Sequence, residues 1–223
     1  MLNDGNAAEL LDYAHGQRLK LKEAAIDVVG RLGYAEATIA RITAAAGVST
    51  GTFYLYFENQ QALFDQLLPT MGERLAEHIE GYTSSDAVGL AYEAQRIRAY
   101  FDFCERNRGF LRIYHEAAIF APKAYRLHFD SLAERYRQSI RQSRETAQLP
   151  RFGEEEIEGL VHMLMGARAY LSQLHASANG DQPASRLIET YLKVVEFGVY
   201  GNMAELPSVS APLSGRRPRK VGS

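Results

Sequence analysis

Residues 38–63 read TIARITAAAGVSTGTFYLYFENQQAL, and the reading of the whole chain turns on this stretch. Thr38 stands where a helix N-cap belongs, ahead of Ile39 and Ile42, and Gly47 interrupts the run that Ala44, Ala45 and Ala46 continue. Ser49 is the next N-cap, opening a short helix through about Phe53 or Tyr54. A further helix begins near Asn59 and runs past Leu63, Leu67, Met71 and Leu75 towards Ile79. Two short helices joined by a tight glycine turn, followed by an aromatic wedge, outline a helix-turn-helix. Gly47 permits the turn because it can take a left-handed backbone conformation without a steric penalty.

Upstream, Leu21, Ala24, Ala25, Val28, Val29 and Leu32 keep helical spacing, and Gly33 ends that helix. Downstream the same periodicity recurs. Leu90, Ala94, Ile97, Phe101 and Cys104 form one stripe. Residues 110–121 are apolar almost all round and are expected to be buried on most sides. Pro122 opens a helix carrying Tyr125, Phe129, Leu132, Tyr136 and Ile140. After a break at Leu149–Pro150, Glu154, Glu155 and Glu156 suit a helix N-terminus. The helix after them shows two stripes, Ile157, Val161, Leu164 and Leu171 against Leu160, Ala167, Tyr170 and Leu174. Asn179-Gly180-Asp181 reads as a turn, and Leu187 to Val199 as the last helix. Pro69 should kink or break the fourth helix. The fold class is therefore all-α with about nine helices. The expected divisions are an N-terminal arm (1–16), a helix-turn-helix domain (17–64), a larger helical domain (65–205) and a basic tail (206–223) without apolar periodicity.

Composition narrows the function. The chain has 223 residues, 46% hydrophobic, and a formal net charge of −2, so it is no generic polycation for nucleic acid or anionic membrane. Its single cysteine, Cys104, cannot form an intramolecular disulfide and fits a reducing cytoplasm. Neither a signal peptide nor a membrane-spanning helix is expected, since residues 1–16 lack a basic stretch followed by an apolar run and no apolar window reaches membrane length. Neither a phosphate-binding G-x-x-x-x-G-K nor a zinc-binding H-E-x-x-H occurs, and an enzyme is not expected. Glu158 and His162, four apart, share a helix face, but two ligands do not make a metal site. No cofactor or metal is assigned.

A recognition helix has to be slim and polar where it enters the major groove. Ser49, Thr50, Gly51 and Thr52 meet that need, and their first turn offers backbone N–H groups to a phosphate oxygen. Tyr54 and Tyr56 add hydroxyls on rigid arms, while Phe53 and Phe57 suit the core. The run from Gln17 to Leu68, above all AAGVSTGTFYLYFENQQALF, resembles the DNA-binding domain of the TetR family of transcriptional repressors. The resemblance implies a DNA reader joined to a helical domain that binds a small effector and dimerises. It makes Thr38 a phosphate contact, sets Ser49, Thr50, Gly51 and Thr52 at the start of the recognition helix, and aligns Tyr54 and Tyr56 with residues that meet bases and phosphates. At Gln60 the family usually has a phosphate-reaching lysine. No Lys or Arg lies between Ile42 and Phe64, so charge must come from Arg41, Arg18, Lys20, Lys22 or the tail.

The expected function is that of a repressor released from a palindromic operator by a small hydrophobic or aromatic effector. The partners are operator DNA, a second copy of the chain and that effector. A helical motif that has lost DNA binding is the alternative. Candidate effector-binding residues are Phe101, Phe110, Tyr114, His115, Phe120, Tyr125, Phe129, His162, Met163 and Tyr170, each with packing as the competing role; His128 is a further histidine of this kind. Arg96, Arg98, Arg106, Arg108 and Arg112 read as a solvated helix face. The last two helices carry apolar character on more than one face, which suits pairing with their copies. Leu160, Leu164, Ala167, Leu171, Leu174, Tyr191, Val195 and Val199 are the candidate dimer residues.

Overall fold

The computed structural model describes residues 4–145, 152–177 and 182–200. Among them the chain forms nine α-helices and no strand: α1 (Asp4–Leu32), α2 (Ile39–Ala46), α3 (Thr50–Tyr56), α4 (Gln60–Tyr82), α5 (Gly89–Arg106), α6 (Phe110–Phe120), α7 (Pro122–Glu145), α8 (Ile157–Ser177) and α9 (Ala184–Val195). A 3-10 turn, Glu154–Glu156, leads into α8, and α9 continues as a π-helical turn, Glu196–Tyr200. The expected breaks at Leu149–Pro150 and Asn179–Asp181, and the basic tail, lie outside the described residues.

Side-chain caps cut the N-terminal elements to length. The Thr38, Ser49 and Asn59 side chains accept from the backbone N–H groups of Arg41, Thr52 and Ala62, each satisfying a donor that the first helical turn leaves free. Gly47, at φ 66°, closes α2, its N–H donating to Ala44 at 3.2 Å while Val48 N–H donates to Thr43 at 3.0 Å. Leu21, Ala25, Val29, Ala37, Ile42, Phe53, Leu63 and Leu67 form a wholly buried core that locks α1–α3 onto the start of α4. Burying each of the valine, leucine, isoleucine and phenylalanine side chains among them contributes about 1.5–3 kcal/mol.

Several expectations change. Residues 4–16 are not an arm but the first half of α1. The anticipated boundary after residue 64 falls inside α4, which runs from the three-helix unit into the larger domain without a break, through Pro69. Leu32 is exposed, because it lies beyond the stripe that meets α2 and α4. Helix α6 is buried on one face only: Phe110, Ile113 and Ala117 point inward, while Ile119 is 77% exposed.

Helices α4–α9 make the larger body. Helix α4 packs on α5 and α7, α7 on α6 and α8, and α9 on α5 and α8. The two parts meet where α6 crosses α1. Gly30 and Gly109 let the two backbones touch there, since a Cβ on Gly30 would lie 2.8 Å from the Gly109 Cα. Glu116 accepts from the Tyr34 backbone N–H at 2.8 Å, and Arg112 donates to the Arg31 carbonyl. Gln61 donates to the Phe120 carbonyl at 2.9 Å.

Candidate nucleic-acid interface and ligand cavity

Helix α3 divides its aromatic residues by direction. Phe53 and Phe57 are buried at 5.6 Å ring separation, while Tyr54 stands 56% exposed. Tyr56 is half-buried and packs against the core, so it offers less surface than Tyr54. Ser49, Thr50 and Gly51 are exposed and Thr52 partly so, with the Ser49 and Thr52 hydroxyls 2.9 Å apart. Thr38 is exposed beside them; its side chain accepts from Arg41, which leaves its hydroxyl proton to donate. Leu55, 78% exposed between the two tyrosines, was not singled out from the sequence. Its signal was available: in a helix fixed by Phe53 and Phe57, residue 55 faces away from both.

Two candidates have structural engagements. The Arg41 guanidinium pairs with Glu36 at 2.5 Å, and a phosphate would have to take over that partner. Gln60 donates from its side chain to the Ala37 carbonyl at 3.1 Å, tying the start of α4 to the turn before α2. Ahead of these, Arg18 donates to Gln66 at 3.2 Å and lies over the Phe57 ring.

Gly47-Val48-Ser49-Thr50-Gly51 also spells G-x-S-x-G, the pattern of a hydrolase nucleophile turn. Here it joins two helices instead of a strand to a helix, and Ser49 is the α3 cap. Its hydroxyl accepts from Thr52 N–H at 3.0 Å and has no histidine partner among the described residues.

In the larger domain, a cavity of about 710 Å³ opens between α4, α5, α7 and α8. Leu75 and Ile79 of α4 and Leu127 and Leu132 of α7 give it apolar walls, and Thr83, Ser84 and Ser85 form a polar edge. Arg96, Tyr136 and Arg168 sit at its closed end, all buried. His128 lines it too, packed so closely over Gly72 that a Cβ there would run into the ring. Burial, and then the Arg168 charge, push His128 down to about 4, so it is neutral at pH 7.

None of the ten effector candidates lines this cavity. Phe101 and Phe110 are core residues, and Tyr114, Tyr125 and Phe129 pack against one another with ring separations of 4.9–6.0 Å. Phe120 stacks on Tyr34 at 5.8 Å. His115 is exposed, and His162 is exposed and bonded to Glu158 at 3.0 Å. Met163 and Tyr170 face outward, 72% and 68% exposed. The rings of these candidates satisfy one another, and the cavity is lined by aliphatic and polar residues with Tyr92, His128 and Tyr136 as its aromatic ones. Arg96 is a second correction: it is buried, not part of a solvated face.

Half of the dimer candidates also move. Leu160, Leu164, Tyr191 and Val195 are buried within the subunit, and Leu171 and Val199 are half-buried against its core. Only Ala167 and Leu174 face out. The outward apolar surface instead gathers Met163, Ala167, Tyr170 and Leu174 of α8 with Val194 and Phe197 at the end of the chain's last helix.

Residues 21–67 match the family model of bacterial regulatory proteins of the tetR family. The HTH-type transcriptional regulator YvdT of Bacillus subtilis is 40% identical over 63 residues, 28% of this chain and 30% of that protein. The fatty acid metabolism regulator protein of Bacillus subtilis is 34% identical over 77 residues, 32% of this chain and 40% of that one. The chain thus matches well under half the length of both relatives. The fold likeness extends further. The fatty acid degradation regulator FadR of Bacillus halodurans superposes with a TM-score of 0.68 at 16% identity, covering 80% of this chain and 94% of that one. A tetR-family regulatory protein of Rhodococcus RHA1 gives 0.64 at 19% identity, covering 80% and 96%. Among the described residues no helix is long and apolar enough to cross a membrane.

Proposed function

We propose, on the premise that this chain is a TetR-family transcriptional regulator, that it is a homodimeric repressor whose operator is read by α3 and released when an effector fills the cavity. The observation that carries the DNA-reading part is the partition of α3. Phe53 and Phe57 anchor it while Ser49, Thr50, Gly51, Thr52 and Tyr54 remain available on its outer side. Thr38, Arg41, Tyr56 and Gln60 complete the proposed contact set, with Leu55 added as an apolar contact for a thymine methyl group.

Dimerisation through α8 and α9 would cover Met163, Tyr170, Leu174, Val194 and Phe197, which otherwise stay in water. It would also present two copies of α3 to half-sites about 34 Å apart. Helix α4 links the two functions, because Gln60 and Gln61 sit at the DNA-reading end and Leu75 and Ile79 wall the cavity. An effector that prefers one placement of α4 over another shifts the population of DNA-competent dimers by its difference in affinity for the two.

Tyr54→Ala tests the reading. Its ring is exposed, so melting should change by no more than about 0.5 kcal/mol. Affinity for the DNA upstream of its own gene, measured by gel shift at fixed salt, should fall roughly ten- to a hundredfold, as loss of a base or phosphate contact requires. Unchanged affinity would remove α3 as the reader.

A further inference from the structure

We propose that the cavity is a carboxylate site, taking a monoanionic amphiphile whose carboxylate lies at the closed end against Arg168, Tyr136 and Arg96. Its apolar tail would run between Leu75 and Ile79 of α4 and Leu127 and Leu132 of α7. The proposal rests on the reading of this cavity as the effector site and names the chemistry of the effector.

The first support is a charge count. Two guanidiniums, Arg96 and Arg168, are buried here with 6% and 2% exposure, and one carboxylate, Glu93, is buried with them. Glu93 stands behind Arg96 and is already used, accepting from Arg96 Nη2 and from the Tyr191 hydroxyl at 2.5 Å. His128 adds no charge, since burial keeps it neutral. Burial likewise keeps Tyr100, Tyr136 and Tyr191 in their neutral phenol form. The other charged side chains of the cavity, Glu73, Glu80 and Arg135, lie on its exposed rim, where Arg135 pairs with Glu80 at 3.3 Å. Among the described residues the closed end therefore carries one positive charge in excess.

The second support is hydrogen-bonding capacity. Nε and Nη1 of Arg168, Nε of Arg96 and the Tyr136 hydroxyl are all buried and lack a partner among the described residues. All three side chains line the same end of the cavity. Aromatic faces hold the guanidiniums in place: Arg168 lies 4.2 Å from the Tyr100 centroid and 5.2 Å from that of Tyr136, and Arg96 lies 3.6 Å from Tyr136. Such stacking fixes a cation without using its N–H groups. A buried unpaired cation costs stability, so a group that supplies the missing anion and acceptors has a large advantage over a neutral one. One carboxylate matches one excess charge. A phosphate ester would bring more charge than this end can neutralise, and a neutral aromatic would leave the donors unmet. The walls beyond are of mixed character, and their aliphatic side chains, Leu75, Ile79, Leu127 and Leu132, give a hydrocarbon tail its contacts.

Isothermal titration of the full chain with hexanoate, decanoate and hexadecanoate, each beside the alcohol of equal length, tests the proposal. At least one carboxylate should bind and raise the melting temperature. Its alcohol should bind roughly tenfold more weakly or worse, the value of a charge-assisted hydrogen bond. Arg168→Met should fold, melt no lower than the parent because an uncompensated cation is gone, and bind acid and alcohol alike. Should that variant fail to fold, Tyr136→Phe keeps the ring and removes only the hydroxyl, and it should weaken the acid severalfold and leave the alcohol unchanged. Equal binding of acid and alcohol by the parent, retained discrimination in Arg168→Met, an unaltered acid affinity in Tyr136→Phe, or binding of none of the acids would each overturn the proposal. A parallel gel shift separates the two readings. Acid binding with discrimination but without operator release upholds the carboxylate site and overturns effector control; operator binding by a chain that takes up no acid does the reverse for the site and leaves the DNA reader standing.

Discussion

The interior of the helix-turn-helix unit and the interior around the cavity obey different rules. Among the described residues of the first, the buried polar groups are uncharged: Thr43 donates to the Ile39 carbonyl at 2.9 Å, and the Tyr34 hydroxyl and Gln17 Oε1 are buried as well. Inside the second are Glu93, Arg96, Arg168, His128, Ser143 and Ser172. A small domain stabilised by caps and apolar packing gains nothing from buried charge, and the first unit has none among its described residues. The second carries charge whose desolvation opposes folding, which is the mark of a region shaped for something besides its own stability. The contrast teaches where to look for specificity: on the surface in one half, in the core in the other.

Breaking the charge network should have the largest effect. Glu93→Ala strips the carboxylate from Arg96 and from the Tyr191 hydroxyl, leaving both guanidiniums buried without an anion. A loss of about 3–5 kcal/mol is expected in denaturant unfolding. A loss below about 1 kcal/mol would mean that water already solvates these groups, and the two interiors would no longer differ in kind.

Acid should expose the same contrast without mutation. His128 titrates at about 4 in the folded chain against an ordinary value of 6.5. Its contribution is fully present above about pH 6.5 and is lost as the pH falls from there through 4, because the unfolded chain takes up the proton first. Integrated over that window the loss approaches about 3 kcal/mol. Melting temperatures across pH 4–7 should therefore fall more steeply for the parent than for His128→Gln. Parallel curves would show that the imidazole is hydrated.

How these halves were legible from sequence follows from the same difference. The reader was visible because its determinants are local: Thr38, Ser49 and Asn59 cap their helices, and Gly47 adopts the left-handed turn. The cavity was not, because its determinants are set by which helices meet. Aromatic spacing pointed to Tyr114, Tyr125 and Phe129, which pack against each other instead. A usable signal did exist. Arg168 continues the stripe Ile157, Val161 and Leu164 at helical spacing, and a charged residue on an apolar face is either an error of register or a buried functional group. The dimer candidates failed for a related reason. Two apolar stripes on α8 say that both faces are covered, and periodicity cannot tell which one the subunit covers itself.

The junction between the halves offers a smaller perturbation. At Gly30 an added methyl group would meet the Gly109 backbone, which cannot swing aside as a side chain can. Gly30→Ala should cost about 1–3 kcal/mol by forcing α6 away from α1. It should also lower operator affinity, although neither residue faces the proposed DNA surface, since Glu116 of α6 holds the Tyr34 N–H next to α2. An unchanged gel shift alongside reduced stability would uncouple the halves.

The smallest expected effect tests how far the surface of the reader depends on charge. Gln60 stands at the start of α4, and no cation occurs from Ile42 to Phe64. Its side chain holds the Ala37 carbonyl at 3.1 Å, so the glutamine has a structural reason to be there that a lysine meets only by spending its ammonium on the same oxygen. Gln60→Lys therefore has two distinguishable results. If the ammonium reaches a phosphate, the slope of log affinity against log salt steepens by about one, equally on specific and nonspecific DNA. If it stays on Ala37, affinity and slope remain those of the parent. The first outcome makes the missing cation a deliberate trade of affinity for geometry. The second makes the Ala37 contact the stronger demand on this position, and under the proposed dimer leaves Thr38, Tyr54 and the spacing of its two α3 helices to supply what charge does not.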